Sequence, residues 1–216
     1  LIALFYSSVG FGGGSSYLAI LSLFLTDFYE IRSTALVLNI CVVTIGTLFF
    51  IKNRVFNLKK FWPFLAASIP MAYLGAQLRL SKTSFFMVLG IALVLAGIFM
   101  LLRFVKKKMD TYEFSNPKKL LLGGSIGLLS GVSGIGGGIF LSPVLNLLKW
   151  ANPRTIASLA SVFILVNSIS GVIGLNMAGT FKWNNELMLQ LIVAVVIGGS
   201  IGSYLSNKKF NLKFLG

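Results

Sequence analysis

Two short glycine runs are the residues in this chain best suited to hold a solute. Gly10-Phe11-Gly12-Gly13-Gly14 recurs as Gly134-Ile135-Gly136-Gly137-Gly138, an offset of 124 residues. Glycine interrupts a helix, at a cost of about 1 kcal/mol each relative to alanine. It also lets backbone approach a ligand closely, because no β-carbon intervenes. A helix restarting after such a run begins with free N–H groups and a partial charge of about +0.5, a combination that binds anions. Hydroxyls stand beside both runs: Ser15 after the first, Ser133 before the second and Ser142 after it. The expected substrate-binding set is therefore Gly10, Gly12, Gly13, Gly14, Ser15, Ser133, Gly134, Gly136, Gly137 and Gly138. Asn39, Ser161 and Asn167 join it as polar residues inside apolar stretches.

Competing structural readings apply to these residues. Asn39 and Ser161 each lie seven residues after an arginine (Arg32, Arg154), which suggests matching places, and an intramembrane Asn can bridge helices as well as touch substrate. Gly123-x-x-x-Gly127-x-x-x-Gly131 and Gly198-x-x-x-Gly202 read as close helix-contact faces. The duplicated triple glycines are different, since packing alone does not call for three adjacent helix breakers twice. Nucleotide chemistry is excluded: Gly10-x-Gly12-x-x-Ser15 lacks the third glycine of a dinucleotide fingerprint, and neither run leads to Lys-Ser/Thr. There is no histidine and a single cysteine, Cys41, so no disulfide within the chain, metal site or cofactor is expected. With no paired intramembrane carboxylates either, an enzyme is not expected.

The elements that carry these runs are set by hydropathy. The chain has 216 residues, 56% of them hydrophobic and 11% charged, where a soluble domain carries about 25% charge; mean hydropathy is +0.89. Uncharged stretches cover 1–26, 33–51, 61–78, 83–102, 120–148, 155–181 and 187–207, and roughly 20 apolar residues cross a bilayer core. The chain reads as an all-α polytopic membrane protein. Its net charge of +14 lies at segment ends, which the preference for positive cytoplasmic loops explains without nucleic acid. The lipid bilayer and a small anionic substrate are the expected partners, with a homo-oligomer left open.

Charge counting separates two topologies. If the glycine-broken stretches are single crossings, 11 Lys/Arg lie inside and 8 outside; if both are re-entrant hairpins, 15 lie inside and 4 outside. The hairpin arrangement obeys the charge rule better. It leaves three crossings between hairpins, so the chain reads as two inverted repeats, each a glycine-broken re-entrant helical hairpin plus transmembrane helices. Residues 1–105 form the first repeat, a hairpin and three crossings. Residues 106–119, with Asn116-Pro117, form a cytoplasmic linker. Residues 120–216 form the second repeat, a hairpin and two crossings, and by comparison with the first repeat a last helix is expected beyond the sequence. No charged residue falls inside an uncharged stretch, so the midplane site is expected to consist of backbone dipoles, hydroxyls and amides alone.

The run Val132-Ser133-Gly134-Ile135-Gly136-Gly137-Gly138-Ile139-Phe140-Leu141-Ser142-Pro143-Val144-Leu145, echoed by Val9-Gly10-Phe11-Gly12-Gly13-Gly14, resembles the TauE/SafE family of sulfite and organosulfonate exporters. The small-residue helices that follow, Ala157-Ser158-Leu159-Ala160-Ser161 and Ala35-Leu36-Val37-Leu38-Asn39, extend the similarity. The resemblance implies a plasma-membrane secondary carrier for small sulfur-containing anions such as sulfite, sulfonates or thiosulfate. A passive anion channel, and a membrane scaffold whose glycines serve packing only, are the alternatives.

Overall fold

The computed structural model describes residues 1–105 and 114–209; the central part of the expected linker (106–113) and residues 210–216 lie outside them. The described residues are helical, without strands. The helices are α1 (Ile2–Ser8), α2 (Gly14–Phe24), α3 (Phe28–Lys52), α4 (Leu58–Gln77), α5 (Lys82–Val105), α6 (Asn116–Ser133), α7 (Gly138–Leu147), α8 (Pro153–Met177) and α9 (Asn185–Lys209). Four of them, α3, α5, α8 and α9, are long and apolar enough to cross a membrane. Helix α4 has 20 residues, but Lys59, Lys60, Pro63 and Pro70 lower its apolarity. Asn116-Pro117, read above as linker, instead opens α6: Ser115 is the N-cap and the proline sits in the first turn, where its missing N–H costs nothing.

Both glycine runs interrupt helices. Between α1 and α2, and again between α6 and α7, the chain leaves helical geometry and restarts from a glycine N-cap in the left-handed region, Gly13 (φ 89°) and Gly137 (φ 80°). Only glycine adopts that conformation without strain. The restarted helices have 11 and 10 residues, about 15 Å each, half of what a bilayer core requires.

Helix α6 runs alongside α4 in the same direction: Gly123, Gly127 and Gly131 face Phe64, Ser68 and Ala72 in turn. The chain then reverses. Trp150, just beyond α7, packs on Phe61 and Phe64 near the start of α4, at ring separations of 6.4 and 5.3 Å. Helices α6 and α7 therefore form a hairpin whose two ends lie at one end of the bundle. Helix α1 lies along α9, with Gly202 against the Leu4 carbonyl and Ser7. The reading of both GxxxG faces as helix contacts holds. Backbones approach at those glycines because nothing projects between them.

At the centre α3 and α8 run antiparallel, with Leu36 against Gly171 and Thr47 bonded to Ser161. Helix α4 also packs on α8, α9 on α3, and α5 on α7. The loops sort by charge. At one end, Lys182 pairs with Asp27, the Lys182 N–H donates to Ser33 (3.1 Å) and Arg79 donates to the Ala178 carbonyl (2.9 Å). Glu30 and Glu186 lie at the same end, so all three acids among the described residues gather there. The opposite end holds Lys52, Arg54, Lys59, Lys60, Lys118, Lys119, Lys149 and Arg154; Lys60 sits over the Trp150 ring at 4.6 Å.

The interface glycines predict a contrast. A β-carbon at Gly131 would collide with the Ala72 carbonyl, whereas Gly97 of α5 has nothing within 4 Å. Gly131→Ala should lower unfolding stability in mixed detergent micelles by about 1–3 kcal/mol, the range for overpacking, while Gly97→Ala leaves it unchanged or slightly raised. The loop ion pair predicts a pH dependence. Lys182 holds the Asp27 carboxyl below its ordinary value, helped by the Tyr29 and Glu30 amides, and Asp27 raises Lys182. The Asp27 contribution is complete above the unfolded carboxylate value of about 3.9 and is lost as pH falls through the lower folded value. Asp27→Asn keeps an N-cap of the same class and should be slightly less heat-stable than the parent at pH 7. The difference should vanish in thermal scans below pH 3.

Candidate functional site

The two breaks meet at the middle of the central helices. Asn39 is the twelfth of 25 residues in α3 and Ile164 the twelfth of 25 in α8. Asn39 fills the space beside Gly12 and Gly14 of the first break, and Ile164 fills the space beside Gly136 and Gly138 of the second. Ile164 is therefore the counterpart of Asn39. The arginine-anchored alignment above, which matched Asn39 with Ser161, is corrected: Arg32 lies three residues deeper in its helix than Arg154 does in its own.

Asn39 also joins the breaks. Its Nδ2 donates to the Ile135 carbonyl at 2.9 Å, while its Oδ1 is buried without a partner. The Ile135 carbonyl lies 2.8 Å from where a β-carbon of Gly14 would stand. Beside this contact is a narrow crevice of about 10 Å³, lined by Tyr6, Gly12, Gly13, Gly14 and Ser15 around the first break and Ile135 from the second. That space is about what one water molecule needs, so the two breaks are closely packed where they meet. The crevice thus brings together four of the expected residues with one edge of the second break.

Both breaks carry unpaired donors. Among the described residues no protein acceptor takes the N–H of Gly12, Gly13, Gly14 or Ser15, nor that of Ile135, Gly136, Gly137 or Gly138. Those of Gly13, Gly14, Ser15, Gly137 and Gly138 are the amides that every helix start leaves free; those of Gly12, Ile135 and Gly136 lie in the breaks themselves. Around the second break stand two fully buried hydroxyls without partners, those of Ser130 and Ser168; both amide atoms of Asn167, next to Ser168 in α8, are likewise buried and unpaired. A β-carbon on Gly136 would lie 2.9 Å from Ser168 Oγ, and one on Gly137 would lie 3.2 Å from Ser130 Oγ. Asn167 and Ser168 fall between the two α3–α8 contacts, in the stretch facing Asn39. In the first break the Tyr17 hydroxyl, buried and unpaired, faces Gly13.

Other expected residues have different surroundings. Gly10 faces Phe50 and the Ala157 carbonyl. Ser133 turns back to the Ser130 carbonyl of its own helix (3.4 Å), Ser161 accepts from Thr47 (3.3 Å), and Ser142 accepts from Asn146 (3.1 Å). Gly134 lies against Arg32, whose side chain is buried at 1% exposure and donates to the Gly131 carbonyl at the end of α6. A charged residue read above as a segment end thus reaches the second break, two helical turns from Asn39. The missed residues had a faint signal. Arg32 and Asn39 are seven apart, two helical turns, so they share a face. Ser130 and Ser168 have none, because serine is common on apolar helices.

The family model described as "Sulfite exporter TauE/SafE" matches residues 1–214. A relative from Sinorhizobium fredii, "Probable membrane transporter protein y4hK", is 32% identical over 223 residues, covering all of this chain and 88% of its own length. No solved structure matches.

Asn39→Leu removes the donor to Ile135 and leaves that carbonyl buried and unpaired. The expected loss is about 1–2 kcal/mol of unfolding free energy in mixed micelles, between the penalties for orphaned groups and the smaller ones found in membranes.

Proposed function

This chain belongs to the TauE/SafE family of sulfite exporters, and from that premise we propose that it is a secondary carrier for small sulfur-containing anions, sulfite and sulfonates foremost. The substrate seat is the meeting point of the two helix breaks. The observation that carries this reading is the cluster of unpaired donors there: the first-turn amides of α2 and α7, with the Ser130 and Ser168 hydroxyls beside the second break and the unpaired Asn167 amide next to Ser168 in α8. An unpaired buried polar group costs about 1–3 kcal/mol, and a sulfur oxyanion, with several acceptor oxygens on one centre, accepts from many such donors at once. Of the residues expected from sequence, Gly12, Gly13, Gly14, Ser15, Asn39, Gly136, Gly137, Gly138 and Asn167 line or hold this seat. Gly10, Ser133, Gly134 and Ser161 shape the helices around it.

The carrier consists of two inverted repeats with re-entrant hairpins. The packing supports this: α6 lies on α4 as α1 lies on α9, and α7 lies on α8 as α2 lies on α3. The charge distribution supports an orientation in the plasma membrane, with the basic end cytoplasmic and the end holding Asp27, Glu30 and Glu186 outside. Each hairpin then enters from its own side and stops midway. Rocking of one repeat against the other opens the seat alternately to the two faces.

Purified chain in proteoliposomes should take up sulfite and a short-chain sulfonate with saturation and trans-stimulation. In Gly137→Leu the new side chain meets Phe163 and Ser130, and uptake should fall at least about tenfold. Uptake that neither saturates nor shows trans-stimulation would identify a channel. Absence of flux in both proteins would leave a scaffold.

A further inference from the structure

Among the described residues Arg32 is the only charged side chain that is fully buried. The only ion pair among those residues joins Lys182 to Asp27, so no carboxylate answers it. One terminal nitrogen donates to the Gly131 carbonyl and, at 3.4 Å, to that of Gly75. These are late carbonyls of α6 and α4, whose negative dipole ends offset part of the charge. Nε stays buried without a partner. The Arg32 side chain lies along the break: its Cγ is 2.7 Å and its Nε 3.7 Å from where a β-carbon of Gly134 would stand. Within the next three residues the chain meets the unpaired Ser168 and Ser130 hydroxyls and the free amides that open α7. A cation, two hydroxyls and a helix N-terminus thus converge on one short segment, and no carboxylate among the described residues pairs with the cation.

We infer that Arg32 is the fixed countercharge of the transported solute, and that the seat selects oxyanions carrying one net negative charge. The inference rests on the carrier reading above. A single buried cation, partly answered by helix ends, is neutralised by one negative charge. A dianion would leave surplus negative charge in a water-poor interior, and a neutral solute would leave the guanidinium unanswered; both are penalised. A monosulfonate or hydrogensulfite fits, and sulfate does not.

Calorimetric titration of the full chain in detergent with methanesulfonate, its neutral isostere methanesulfonamide, and sulfate tests the charge rule. Methanesulfonate should bind at least about tenfold more tightly than either of the others, the usual advantage of a charge-assisted hydrogen bond. Arg32→Gln should lose that preference by weakening methanesulfonate while still binding methanesulfonamide, which also reports a folded seat. Equal affinity of the parent chain for methanesulfonate and methanesulfonamide, or for methanesulfonate and sulfate, overturns the inference. So does an Arg32→Gln protein with undiminished methanesulfonate affinity, or a parent chain that carries sulfite yet binds no methanesulfonate. If Arg32→Gln does not fold, the parent affinities alone decide. None of these outcomes touches the carrier reading, which fails only if the parent chain moves no anion in proteoliposomes.

Discussion

A helix that stops inside a protein releases carbonyls on one side of the stop and amides on the other, and both need partners that water would otherwise supply. In the second hairpin the carbonyl side is answered by two side chains of one helix. Arg32 takes the Gly131 carbonyl and Asn39 takes the Ile135 carbonyl, from positions seven residues apart on the same face of α3. The amide side is left open. This asymmetry makes the break polar in a useful sense: what is satisfied is the part that would repel an anion, and what is left unpaired is the part that would bind one.

The hairpins are held where they are by glycine interfaces of opposite construction. On the α4–α6 pair three of the glycines belong to the hairpin helix, Gly123, Gly127 and Gly131 on α6, and one, Gly75, to α4. On the α1–α9 pair they belong to the long helix, with Gly198 and Gly202 on α9. Either way one backbone lies nearly against another, and a register shift of one residue would drive side chains into carbonyls. The height of each break along the central helices follows from that register. The breaks therefore meet beside Asn39 and Ile164 rather than at some other level.

The two breaks are related but unequal. Gly12 and Gly14 meet an amide side chain where Gly136 and Gly138 meet an isoleucine, and a buried arginine accompanies only the second. Similar backbone in different surroundings gives one hairpin a crevice and the other a ring of polar groups without partners. At the acidic end, the Lys182–Asp27 pair and the Arg79–Ala178 bond tie the loop after α8 to the loops before α3 and before α5. The opposite end is held by aromatic rings packed edge-on and tilted around Trp150.

Much of this architecture is legible in the residues themselves. Apolar stretches between charge clusters mark the long helices, the duplicated glycines mark the breaks, and the GxxxG runs mark the close contacts, because each depends on local backbone energetics or on hydropathy. Asn116-Pro117 misled because the same pair suits a turn and a helix start, and only the residues around it decide. The partnerships belong to the tertiary structure. That Arg32 is buried, that Ile164 and not Ser161 answers Asn39, and that Ser130 and Ser168 surround the second break all follow from which helix faces which. Contacts 96 and 99 residues apart, such as Asn39 with Ile135 and Arg32 with Gly131, have no local energetic signature. They exist because the glycine interfaces set the height of each break before any side chain reaches it.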